Sequence, residues 1–305
     1  MKFLFLTPIF LLSQIACSQT VSVVAPDEAP RKLGAGYGFT EGPAWDAKTR
    51  SWIFSDIPRD TLHRVFESGF RGTAISPSFN TNGNAFDAAG HLISCQHGAR
   101  RVAKWDGANW LALAEKFEGK RLNSPNDLAI FGDGSIYFTD PTYGVKREAR
   151  ELDFQGVFRL FPDGKLVLLD KEWTQPNGIC FSPDGKRLYI ADSQTREIFV
   201  YDVNARGEIS GKRRFATVSQ GVPDGMKCDE NGLLLVGIGG GVAVYSPAGA
   251  PLEKIEISSN GKAKNVANLG FGGAEGKTLL MTAQDEIWSV KLRAGGAKPA
   301  QNQPK

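Results

Sequence analysis

The sequence predicts an all-β protein, a six-bladed β-propeller with about four strands per blade. Three observations predict it. First, one phrase recurs: an acidic or amide residue, often followed by glycine, then an apolar stretch and usually a turn glycine eight residues on. Its anchors are Glu41, Asn82, Asn126, Asn177, Asp224 and Asn268, at intervals of 41, 44, 51, 47 and 44 residues, the spacing of a repeat architecture. Second, Asp133-Gly134, Asp184-Gly185 and Asn231-Gly232 separate strand-like runs, and such pairs are strong hairpin signals. Third, 35 Gly, 19 Phe, 6 Tyr and 6 Trp in 305 residues favour short strands and tight turns over helices. That length suggests two ordinary domains, but propellers run this long as one unit, and nothing resembling a linker divides the chain into two sandwiches.

The elements follow in order. Residues 1–17, MKFLFLTPIFLLSQIAC, read as a signal peptide with Lys2 as its charged start. The apolar run Phe3 to Leu12 falls short of the roughly 20 residues of a membrane span. The protein is therefore expected to be exported, periplasmic or secreted. Cys17 is a candidate lipid anchor, but Gln14 stands where a lipoprotein leader usually has Leu, so both leader types stay open. The stretch from Val21 to Gly36 is expected to add a strand to the last blade and close the ring. One propeller domain spans residues 21–293. Within it SWIFSD, GSIYFTD, KRLYIAD and LLLVG read as second strands, and EIFVYDV and GVAVYS as later ones. The first unit, EGPAWDAKTRSWIFSD, has Thr49 at the glycine position. Residues 294–305, rich in Gly, Ala, Pro and Gln, read as a flexible tail.

Composition excludes several functions. Lys+Arg of 36 against Asp+Glu of 33 leaves +3, with no basic run, which argues against nucleic acid. His63, His91 and His97 lack zinc spacing. Outside the leader Cys95, Cys180 and Cys228 are odd in number and unpaired in spacing, which excludes a disulfide framework. There is no GxSxG elbow, phosphate-binding loop or HExxH, and GAGYG at 34–38 lacks the third glycine of a dinucleotide fingerprint.

In a propeller the first strand of each blade lines the central channel, so six anchors at the starts of these strands converge on one mouth. All six are oxygen donors and two are carboxylates. Such a ring suits a hard cation, since Ca²⁺ takes 6–8 oxygen ligands, whereas zinc would want His or Cys. The competing reading makes the anchors ordinary turn residues, like the PDG at 162–164 and 183–185. Register argues for a site. Asn231-Gly232 already supplies the turn of its unit, and Asp224 precedes Gly232 as Asn177 precedes Gly185.

EGPAW, KRLNSPNDLAI, IYFTDPTYG, PNGICFSPDGKRLYIAD and VPDGMKCDENG resemble, in order, the SMP-30/gluconolactonase family of six-bladed propellers over about residues 35–292. The resemblance implies one divalent cation, usually Ca²⁺, held by Glu41, Asn126, Asn177 and Asp224. It also implies hydrolysis of a sugar-type lactone as the small-molecule partner, with Asp224 activating water. Asn82 and Asn268 are expected to line the channel without holding the ion. Two alternatives remain: a phosphotriesterase or arylesterase using the same site, and a non-catalytic binding propeller pinned by a structural cation. Arg121 and Asn123, in KRLNSPND, are expected on the same mouth as substrate contacts, Arg121 by its fork of donors. His97 and Tyr143 are further candidates, each of which also fits a packing role. Asp56, Asp140 and Asp192 end second strands and are expected to act as turn acceptors.

Overall fold

The computed structural model describes residues 22–298. The leader with Cys17 lies outside them. Six four-stranded antiparallel sheets are arranged as the blades of a propeller, as the repeat predicts. Blade 1 is Thr40–Asp46, Ser51–Asp56, Thr61–Val65 and Arg71–Ile75. Blade 2 is Thr81–Phe86, Leu92–Gln96, Arg101–Trp105 and Trp110–Ala114. Blade 3 is Leu128–Ile130, Ile136–Asp140, Gln155–Leu160 and Leu166–Trp173. Blade 4 is Pro176–Phe181, Arg187–Asp192, Glu197–Val203 and Ile209–Thr217. Blade 5 is Met226–Cys228, Leu234–Ile238, Gly241–Tyr245 and Pro251–Glu256. Blade 6 is Asn268–Gly272, Thr278–Ala283 and Glu286–Lys291, with the N-terminal strand Arg31–Ala35 as its fourth. That last pairing, Arg31 opposite Ser289, closes the ring as expected from Val21–Gly36.

The strand pattern explains the packing. Side chains alternate between the two faces of a strand, and each blade has a neighbour on both faces. Trp52 and Phe54 therefore join a cluster with Leu280 and Ile287 of blade 6, while Ile53 between them joins Leu92 of blade 2. Six apolar clusters form in this way, one at each interface between blades. A buried residue of this size contributes about 1.5–3 kcal/mol. Residues Gly295 to Ala297, read in sequence as the start of a tail, are instead held by blade 5. The Ala297 N–H donates to the Cys228 carbonyl at 2.9 Å, and the Gly295 N–H donates to Glu230 Oε1 at 3.0 Å. Backbone hydrogen bonding, which composition cannot report, orders that stretch.

The glycine after an anchor has a steric reason. First strands of adjacent blades come closest here. A Cβ on Gly42, whose φ is +49°, would lie 2.1 Å from the Asn82 carbonyl oxygen; one on Gly178 would lie 2.2 Å from that of Asp224. Only a residue without a side chain permits that approach.

Candidate active site

The six anchors open the first strands at one end of the channel. Glu41, Asn82, Asn126, Asn177 and Asn268 are 2–4% exposed. Burying polar groups this deeply costs free energy unless they find partners, so their partners define the site.

Glu41 Oε2 accepts the Gly42 N–H at 2.8 Å. Burial, then the charge of Asp127, pushes its pKa up to about 7. The Asp224 pKa is likewise raised well above its ordinary value, by burial first and then by Glu41 and Asp127. Its Oδ1 is enclosed and accepts no hydrogen bond among the described residues. Asn177 donates through Nδ2 to Ser193 Oγ at 3.0 Å, and Ser193 donates to the Pro223 carbonyl at 2.8 Å. This chain fixes Asn177 beside Asp224. Asn126 is held by its backbone: its N–H donates to Thr139 O, and its carbonyl accepts from the Gly83 N–H at 2.8 Å. Asn82 Nδ2 lies 3.1 Å from His97 Nε2, leaving the buried Asn82 Oδ1 unpartnered. Burial lowers the His97 pKa to about 4, so the ring is neutral at pH 7 and its Nε2 accepts from Asn82.

Asp127 belongs to the same constellation, and the sequence reading passed over it. Where four anchors are followed by glycine, Asn126 is followed by this aspartate, 1% exposed. The Leu128 N–H donates to its Oδ1 at 2.9 Å, and Asn268 Nδ2 to its Oδ2 at 3.4 Å. The break in the anchor-glycine phrase was the signal that could have found it.

Two buried carboxylates, the partly buried Asp224 and an inward ring of amides suit a hard cation. Among the described residues no three His, Cys, Asp or Glu side chains converge on one point by themselves. An ion would therefore rely on the asparagine carbonyls as well as Glu41 and Asp224. The orphaned Asp224 Oδ1 and the crowding of like charges fit such an ion, because a cation would both satisfy the oxygen and relieve the repulsion.

The loops that carry the anchors are stapled as expected. Asp56 accepts the N–H groups of Gly38 and Phe39, Asp140 those of Asn123 and Ser124, and Asp192 those of Thr174 and Gln175. Each carboxylate at the end of a second strand thus fixes the segment entering its own first strand. The same loops carry two of the expected substrate contacts. Asn123 is fully buried and donates to the carbonyls of Asp140 and Phe154, while its Oδ1 has no hydrogen-bond partner among the described residues. Arg121 directs its guanidinium to the Ala99 carbonyl at 3.0 Å. Tyr143 does reach the site: its hydroxyl lies 3.5 Å from Asn177 Nδ2, and its ring is 50% exposed.

The other end of the channel is different. A cavity of about 290 Å³ there is lined by Trp45, Phe86, Phe131, Phe181 and Phe271, with Lys227 among them. The titratable cluster lies at the anchor end.

A six-bladed ring with carboxylates and amides gathered at one mouth defines the class of propeller to which the chain can be compared. Residues 39–285 match the SMP-30/gluconolactonase/LRE-like region, and the chain belongs to that family. It is 29% identical to a gluconolactonase of Zymomonas mobilis over 287 residues, covering 85% of this chain and 80% of that protein. It superposes on a gluconolactonase of Xanthomonas campestris with a TM-score of 0.82 at 32% identity, covering 88% of this chain and 91% of the other. A calcium-binding regucalcin of Agrobacterium tumefaciens shares the fold, with a TM-score of 0.75 at 20% identity over 91% of this chain and 98% of its own.

Proposed function

We propose that the protein is a carboxylic ester hydrolase that opens a lactone ring, of the sugar type for which its relatives are named, with one divalent cation. The enclosed Asp224 carboxylate, with one oxygen unpartnered beside a ring of amides, carries this reading. Glu41, Asn126, Asn177 and Asp224 would hold the cation, and Ca²⁺ suits an all-oxygen donor set. Such an ion, when bound, supplies Lewis-acid polarisation of an ester carbonyl.

The chain's own residues do the rest. The Asp224 carboxylate is the acceptor for a proton of the attacking water. As the ring C–O bond breaks, the same proton passes to the leaving oxygen, and the product is a hydroxy acid. Ser193 and Tyr143 keep Asn177 oriented, and neutral His97 holds Asn82. Asp127 tethers Asn268 and adds negative charge behind Glu41 and Asp224.

The test is turnover of an aldonolactone followed by pH-stat, with the protein stripped by chelator and then given Ca²⁺. The expected result is loss on chelation and recovery on Ca²⁺. Unchanged turnover in chelator would remove the cation from the mechanism. Absence of lactone turnover under every condition would remove the lactonase reading, and a phosphotriester tested in parallel would then identify the alternative. We also propose export through the leader at residues 1–17; cell fractionation tests it, and a cytoplasmic full-length protein would oppose it.

A further inference from the structure

Among the described residues, seven large apolar side chains are exposed. Three of them, Phe70, Leu111 and Leu252, sit on fourth strands or the turns leading to them. The other four stand around the anchor mouth: Phe39 at 39%, Phe79 at 40%, Tyr143 at 50% and Val222 at 45% exposure. Phe39 and Val222 each lie two residues before a carboxylate anchor, Glu41 and Asp224. Phe79 precedes Asn82 by three, and its carbonyl accepts the N–H of Gly98, next to His97. Tyr143 reaches Asn177. Single exposed apolar residues are ordinary; a set gathered around one polar opening marks a binding surface.

Three arginines on this end are directed at backbone. Arg100 donates to the carbonyls of Leu122, Asn123 and Ala149, Arg121 to that of Ala99, and Arg196 to those of Gly221 and Ser219. Most of these donors are fastened to backbone, although Arg100 Nη2 is buried without a partner among the described residues. A polyhydroxylated ring needs several donors and acceptors converging on its hydroxyls, and much of the donor capacity of these three arginines is already engaged.

We propose that the mouth takes a lactone ring bearing an apolar substituent, seated on Phe39, Phe79, Tyr143 and Val222 while the ring sits over the anchors. The proposal rests on the lactone-opening reading and puts an apolar-substituted ring in place of its sugar-type one. Each methylene fully removed from water is worth up to about fourfold in kcat/KM.

The experiment compares γ-butyrolactone, its pentyl-substituted form γ-nonalactone, and glucono-δ-lactone, at saturating Ca²⁺ by pH-stat. The proteins are the wild type, Phe79→Ser and Val222→Ser, with thermal unfolding confirming that each variant folds. The expected wild-type kcat/KM ratio of γ-nonalactone to γ-butyrolactone is at least about tenfold, falling about threefold in each variant. As a readout free of turnover, the pentyl-substituted lactam should inhibit more tightly than the plain lactam, and less so in the variants. Equal or better turnover of the unsubstituted or polyhydroxylated lactone would overturn the apolar rim and leave the lactonase standing. A pentyl preference unmoved by both substitutions would overturn the assignment of these residues. Failure of all three lactones would remove the underlying reading.

Discussion

The six first strands have two ends with opposite chemistry. At the start of each stands an acid or amide, Glu41, Asn82, Asn126, Asn177, Asp224 or Asn268, all buried except the partly buried Asp224. A few residues on, five of the same strands or the turns that end them carry an aromatic residue, Trp45, Phe86, Phe131, Phe181 or Phe271, while blade 5 carries Lys227. The aromatic end gains free energy by leaving water. The polar end gives some back, because Glu41 and Asp224 are buried close to like charge. One repeated strand thus separates support from chemistry along its own length, and the destabilising half is the half that can act.

That contrast can be broken at either end. The largest effect expected is for Asp224→Asn, which keeps size and an oxygen while removing the base. Turnover of a lactone at saturating Ca²⁺ should fall about 10²–10⁴-fold, with little change in the unfolding midpoint. Near-normal turnover would take Asp224 out of the mechanism. At the opposite end, Phe131→Ala empties a buried site where Phe131 meets Tyr137 and Phe181. It should cost about 3 kcal/mol in denaturant unfolding, with turnover per folded molecule unchanged. A matching loss of turnover would mean the two ends are not independent.

Two smaller effects sharpen the comparison. Asp127→Asn removes one of the three like charges, and Ca²⁺ affinity measured by calorimetry should weaken about 10–100-fold, the usual effect of losing a supporting partner. Unchanged affinity would reduce Asp127 to a structural tether. The last is pH dependence. Burial, the largest cause for both, lifts Glu41 and Asp140 to about 7, above their ordinary values of 4.5 and 3.8. Between the ordinary and raised values the native state holds protons that the unfolded chain has released. Their contribution to the cation-free protein is therefore full below about pH 4 and is lost as pH rises toward 7. Urea midpoints in chelator should fall from pH 5 to pH 8, and Ca²⁺ should recover part of the loss at pH 8. A midpoint that rises would contradict the assigned burial.

The blades were legible because they repeat. Six anchors and three Asp-Gly or Asn-Gly turns leave few alternatives, and the strand closing blade 6 followed from a leftover segment before the first anchor. The converging anchors were legible for the same reason. Asp127 escaped because a repeat draws attention to what recurs, whereas this residue matters by departing from the glycine at its position. The partners of Arg121 and Asn123 were not legible because loop orientation is decided by residues distant in sequence. Glu151 accepts the Arg121 N–H, and Phe154 accepts from Asn123. No local pattern announces either contact. The apolar rim was equally hidden, since Phe39, Phe79 and Val222 look like core residues until their exposure is known.

The pairing of Arg31 with Ser289 joins the first described strand to one of the last. During synthesis the N-terminal strand emerges early and finds no partner until about 250 residues later. Until then Arg31–Ala35 has no neighbouring strand, and its edge stays open to pairing with another chain. Once folding has brought the ends close, bridging such a distance adds little: tenfold more chain raises the entropy of closure by about 2 kcal/mol. The weak point of this molecule therefore lies in time more than in energy, in the interval between making the latch and having something to fasten it to.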